Sequence, residues 1–160
     1  MREIVLLSLS ALLLGLSFPP FDFGFLAWIA FVPFFVALEG RPFRKNLWVS
    51  SLTGFLFFFI LIHWVRHVTW AGTIALILYL ASYFVLFGLG MKLLGGRLPL
   101  LVVPSLWVSL EFLRSQILTG FGWGLLAYSQ WRTLPLIQFA DMTGAYGISF
   151  LVMMANVFLY

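Results

Sequence analysis

Two groups of residues in this sequence have the types and spacing to do chemistry, and both sit in apolar surroundings. Glu111 and Arg114 lie three residues apart inside "LLVVPSLWVSLEFLRSQIL". On a helix that separation puts both side chains on one face. Glu111 precedes Gly120 by nine residues, roughly 13 Å along a helix axis, so it is expected well below the end of its helix. Arg114, a turn nearer that end, is within reach of snorkelling to the surface. An ionised group deep in a bilayer costs a few kcal/mol, so such residues face the bundle interior and pair. Two readings stay open: a neutralised pair that fixes helix packing, or a pair bordering a lipid or substrate cavity. The second group is His63 and His67, four apart and able in principle to share a metal ion. A zinc site needs a third ligand, and only Asp22 and Asp141 are expected on the same side. Two interfacial histidines beside Trp64 and Arg66 account for the same spacing, and no metal site is predicted.

The elements that must position these residues follow from composition. The chain has 160 residues, 63% hydrophobic and only 9% charged, where a soluble domain carries about a quarter charged residues. With a mean hydropathy of +1.10, it is expected to be an integral membrane protein. It holds no cysteine, so the chain itself has no disulfide, thiolate metal site or thiol nucleophile. The net charge of +4 does not indicate nucleic acid, because the basic residues fall in short loops between apolar runs. No cofactor motif is legible. The "GFGWG" run has neither the spacing nor the preceding strand of a dinucleotide fingerprint, although its glycines suit a tight turn.

Apolar runs predict an all-α polytopic bundle of about six spans, near residues 4–18, 26–38, 47–65, 71–91, 98–118 and 143–160. The first resembles a signal peptide, but no cleavage site follows and the chain re-enters apolar sequence at once, so it is read as an uncleaved span. Asp141 is placed to cap the sixth span, and Gly144 and Gly147 to serve close helix packing. The last span reaches Tyr160 without a basic stop, and the chain is expected to continue.

Counting Lys and Arg sets the orientation. With a cytoplasmic N-terminus, the inner ends hold Arg2, Arg41, Arg44, Lys45, Lys92 and Arg97, and the outer ends hold Arg66, Arg114 and Arg132. Trp28, Trp64, Trp70, Trp123 and Trp131 crowd the outer side, against Trp48 alone at the inner side. An ordinary aromatic belt decorates both interfaces, so the outer face is expected to carry the function.

The run over 104–130, "PSLWVSLEFLRSQILTGFGWGLLAYSQ", resembles the membrane-domain signature of the apolipoprotein N-acyltransferase family. Pro104, Trp107, Glu111, Arg114, Thr119, Gly120, Phe121, Trp123, Tyr128 and Gln130 carry the match. "SFPPFDFG", "HWV" and "GAYGISFLVMMANV" support it more weakly, and together they cover nearly the whole chain. The chain departs from the pattern at Gly122, where the family usually has proline, and at Ala127, where glycine is usual.

The resemblance implies the membrane domain of an enzyme of the bacterial inner membrane. In that family a periplasmic nitrilase-like domain with a Glu-Lys-Cys triad takes an acyl chain from a phospholipid as a thioester. It passes the chain to the N-terminal amine of a diacylglyceryl-cysteine lipoprotein. The implied partners are therefore membrane phospholipid, the lipoprotein N-terminus and a nitrilase-like domain in the same or another chain. Lacking cysteine, this chain by itself is expected to be inactive and to hold no catalytic residue. Glu111, Arg114, Trp123, Tyr128, Gln130 and Trp107 are the candidates for lipid or substrate contact. A non-catalytic subunit of a split acyltransferase and a small transporter using Glu111 are the alternatives. The transporter reading would require repeats or broken helices at the midplane.

Overall fold

A computed structural model of the chain describes residues 2–94, 96, 98–118 and 120–160. Arg97, counted among the inner charges, and Thr119, counted in the family motif, lie outside the described residues. The described chain is all-helical, without strands. Its α-helices are α1 (Arg2–Leu16), α2 (Val32–Leu38), α3 (Phe43–Ile62), α4 (Trp70–Leu94), α5 (Pro99–Gln116), α6 (Leu134–Gln138) and α7 (Ala140–Leu159). Single 3-10 turns occupy Gly24–Trp28, His63–His67 and Leu126–Gln130. Proline sets several of the starts, standing in the first turn of α2, α5 and α6, where its missing N–H removes no helical bond.

Three of these elements are long and apolar enough to cross a bilayer: Phe43–His67, Trp70–Leu94 and Ala140–Leu159. At 1.5 Å per residue, 25 residues reach roughly 37 Å, more than the ~30 Å hydrocarbon core. The expected span over 26–38 is not one helix. It is a 3-10 turn and a seven-residue helix joined at Ile29–Phe31, because Pro33 fixes the start of α2 and lacks the N–H that would carry an earlier helix through. The broken segment still runs from end to end of the bundle. The Gly24 carbonyl accepts from Gln130 beside the aromatic loop, while Arg41, just past α2, pairs with Glu3 at the start of α1.

The core is aromatic. Phe31, Phe34, Phe35, Phe58, Phe84 and Phe87 are fully buried, and the Trp107 ring sits among them. Its centroid lies 4.7 Å from that of Phe31, 5.0 Å from Phe87 and 5.3 Å from Phe84, all edge to face. Such pairs contribute about 0.5–1.5 kcal/mol each beyond burial. Lipid is as apolar as the core, so helix association rests on packing of this kind and on small residues. Gly88 of α4 is one of them. A Cβ there would collide with the Ser50 hydroxyl and the Asn46 amide of α3, and its carbonyl accepts from Asn46 Nδ2 at 3.1 Å.

Two smaller expectations are corrected. Asp141 does not cap α7: the N-cap is Phe139, and no side chain caps the helix. Gly144, with φ +66° and open space around it, kinks α7 instead of packing against a neighbour, and Gly147 faces Thr143 of its own helix.

Candidate functional site

Helix α5 presents Trp107, Glu111 and Arg114 inward at i, i+4 and i+7, and all three are buried. Glu111 Oε1 accepts two hydrogen bonds, from Trp107 Nε1 at 2.9 Å and from the Leu126 backbone N–H at 2.7 Å. Arg114 donates from a terminal guanidinium nitrogen to the Gly124 carbonyl at 3.1 Å. Its guanidinium carbon stands 5.3 Å from the centre of the Phe58 ring, a cation–π distance. Arg114 therefore does not snorkel, being only 3% exposed. The two residues are not a contact pair either: the ion pairs among the described residues are Glu3 with Arg41 and Lys45, and Asp22 with Arg132. Glu111 Oε2 and Arg114 Nε remain without a hydrogen-bond partner. Both residues line a cleft of about 10 Å³ together with Phe58, Tyr83 and Phe84, at the lower limit of the room that one water needs.

The two charges thus hold adjacent points of the loop after α5. Its backbone allows this because Gly124 takes φ +70°, where an added Cβ would also strike Leu61. Beyond it the Leu126–Gln130 turn is buried except at Tyr128. The Ala127 N–H donates to Ser149 Oγ of α7 at 3.0 Å. Gln130 ties the turn to the distant Gly24–Trp28 turn, donating to the Gly24 carbonyl at 2.7 Å and accepting from Trp28 Nε1 at 3.0 Å. Asp22 completes the seam, accepting from Trp131 Nε1 at 2.9 Å and from Arg132 at 2.7 Å.

On this pinned base stands an aromatic groove. Trp64, Trp123, Tyr128 and Trp131 line an open cavity of about 370 Å³ with Phe18 and Pro19. The Trp64 and Trp123 rings are 5.3 Å apart, and Trp123, Tyr128 and Trp131 are each about half exposed. Amphipathic rings of this kind suit a surface that is part acyl chain and part headgroup.

The six candidates therefore divide. Trp123 and Tyr128 face the groove. Trp107, Glu111, Arg114 and Gln130 are buried and position the loop that carries it. Trp28 is engaged by Gln130, and Trp70 stands apart over Arg66. Among the described residues no three His, Asp or Glu side chains come together as a metal site; Asp22 is committed to Trp131 and Arg132. Sequence reasoning missed Asp22 as the tie between loops. It also missed Asn156, whose Oδ1 accepts the Phe31 N–H at 2.8 Å and whose Nδ2 donates to the Ala27 carbonyl at 2.8 Å. The available signal was a carboxamide inside the apolar run "LVMMANVFL", since such a group must find partners.

Comparison with known proteins identifies the family. The model of the apolipoprotein N-acyltransferase N-terminal domain matches residues 10–158. The chain is 38% identical to the apolipoprotein N-acyltransferase of Geobacter metallireducens over 99% of its own length and 33% of the relative's. It is 37% identical to that of Chlorobaculum tepidum, over 93% of its own length and 30% of the relative's. A protein of the same name from Thermotoga maritima is 29% identical over 95% of this chain and 34% of that protein. The chain thus spans about a third of the length of these curated relatives. It belongs to the apolipoprotein N-acyltransferase family and corresponds to its N-terminal domain.

Proposed function

We propose that this chain is the membrane domain of an enzyme that transfers an acyl chain from a phospholipid to the N-terminal amine of a diacylglyceryl-cysteine lipoprotein. The observation that carries the reading is the Trp64–Trp123–Tyr128–Trp131 groove, held on a loop that Glu111 and Arg114 fix from inside the bundle. The chain has no cysteine, so the nucleophile that the family uses comes from the nitrilase-like domain, and the 160 residues alone are inactive. In the first step that thiolate attacks the phospholipid ester, forming a thioester and releasing a lysophospholipid. In the second the lipoprotein amine attacks the thioester, forming an amide and returning the thiol. The groove's part is to hold acyl chain and headgroup at the interface beneath the catalytic domain.

The same reading places the chain across the bacterial inner membrane about six times, the N-terminus in the cytoplasm and the groove on the periplasmic side. Supporting it, Arg41 and Lys45 both pair with Glu3, Lys92 donates to the Arg41 carbonyl and Arg44 stands in the first turn of α3, all at one end of the bundle, and the Gly24–Leu38 segment runs between the two ends despite its break.

Two measurements test the proposal in the intact protein. Trp123→Ala and Trp131→Ala are expected to lower acyl transfer while leaving protein abundance unchanged. Unchanged transfer in both variants would overturn the role of the groove. With the cysteines of the intact protein outside this chain first replaced by serine, a single cysteine at Gly122 or at Gly40 reports topology, because these 160 residues contain none. A membrane-impermeant thiol reagent applied to intact spheroplasts should label the first and not the second, and the reverse pattern would overturn the orientation.

A further inference from the structure

At the end of the bundle opposite the aromatic groove lies a second cavity, of about 330 Å³, open to the surface and unconnected with any residue named in the proposed reaction. Arg41 and Lys92 contribute cations to its wall, Glu39 a carboxylate, and Phe35, Met91 and Tyr160 an apolar side. The charges are incompletely used. Arg41 spends one terminal guanidinium nitrogen on Glu3 at 2.8 Å, while its side chain stays 31% exposed. Lys92 donates to the Arg41 carbonyl at 3.0 Å, and no carboxylate among the described residues lies within 4.0 Å of it. Glu39 likewise has no ion pair among them. Glu3 is shared between Arg41 and Lys45, so the cations at this end outnumber the carboxylates.

A guanidinium with a spare N–H beside an ammonium is the donor set for a phosphate. An unpaired carboxylate on the same wall repels a simple anion but suits a ligand that carries an amine beside its phosphate. The apolar side, with the Phe35 and Tyr160 rings 5.4 Å apart, suits the part of the ligand that continues into hydrocarbon. We propose that this cavity binds the headgroup of an amine-bearing glycerophospholipid from the leaflet at that end. Arg41 and Lys92 hold the phosphate and Glu39 faces the ammonium. The inference rests on the reading of the chain as membrane-spanning and is independent of the acyl-transfer reaction.

The test is native mass spectrometry of the delipidated intact protein in detergent, with phosphatidylethanolamine, phosphatidylglycerol or inorganic phosphate added back. Phosphatidylethanolamine is expected to bind in preference to the other two. Lys92→Gln, an exposed position where folding is not at stake, should weaken that binding by about tenfold. Arg41→Lys, which keeps the charge but loses the planar fork, should weaken it less. Glu39→Gln should remove the preference over phosphatidylglycerol. Trp123→Ala, which alters the groove at the other end, should leave the Lys92-dependent lipid in place. Binding of phosphatidylethanolamine that is indifferent to both Lys92→Gln and Arg41→Lys overturns the proposal. Inorganic phosphate held as tightly as the lipid overturns it too, and either result leaves the acyl-transfer reading untouched.

Discussion

Gln130 and Trp28, 102 positions apart, are joined by a hydrogen bond of 3.0 Å between the indole N–H and the side-chain carbonyl. Through it and the Gly24 contact, the turn after α5 is fastened to the turn after α1. Gln130→Ala and Trp28→Phe are each expected to destabilise the protein. Their double-mutant cycle should give a coupling of about 0.6–1.7 kcal/mol, the range for side-chain hydrogen bonds inside membrane proteins. Thermal unfolding in detergent measures it, and strict additivity would show that the bond holds nothing.

Glu111 makes a sharper case, because only one of its oxygens has partners. Trp107 and Leu126 both donate to Oε1, and a glutamine amide oxygen can accept both bonds in the same place. Glu111→Gln should therefore keep stability within about 1 kcal/mol. Glu111→Ala leaves two buried donors unpaired and should cost about 2 kcal/mol or more. Equal losses in the two variants would mean that the negative charge, not the acceptor, is what the loop requires.

The class of fold was legible from composition, and so were the inward positions of α5, because helical spacing fixes which side chains share a face. That Glu111 and Arg114 form no ion pair was not legible. Spacing places two side chains on one face but does not say whether they meet each other or reach for a neighbouring backbone, and here each holds a loop carbonyl or N–H. The break in the second apolar run was obscured for a related reason: hydropathy counts apolar residues and is blind to the join at Ile29–Phe31. The aromatic groove was half legible. The excess of tryptophan on one side marked the face, but only the fold separates Trp123 and Trp131, which line the cavity, from Trp28 and Trp70, which do not.

Two glycines of the "GFGWG" run should respond oppositely to the same change. Gly124 takes φ +70° and an added Cβ would meet Leu61, whereas a Cβ at Gly122 meets nothing within 4 Å and its φ lies outside the left-handed region. Gly122→Ala is expected to be neutral or to stabilise by about 0.4–1 kcal/mol, by narrowing the unfolded ensemble. Gly124→Ala should cost about 1–2 kcal/mol from the left-handed backbone alone and lower acyl transfer, because it shifts Trp123 and the Arg114 anchor together. Comparable melting temperatures for the two variants would refute this account of the loop.

Asn156 is a fully buried polar tie. Its side chain satisfies the Phe31 N–H and the Ala27 carbonyl, where the broken segment has no helical partners to offer them. Phe31 in turn packs against Trp107, four residues before Glu111. Asn156→Leu removes both partners and should cost about 2–6 kcal/mol, the sum of two unsatisfied buried backbone groups. Asn156→Asp keeps the acceptor for Phe31 and loses the donor to Ala27, so it separates the two bonds. If the broken segment sets the position of the Trp107 ring, Asn156→Leu should also change the fluorescence of a variant retaining Trp107 as its one tryptophan, at temperatures well below unfolding. A lower melting point with an unchanged spectrum would confine Asn156 to stability and sever it from the loop.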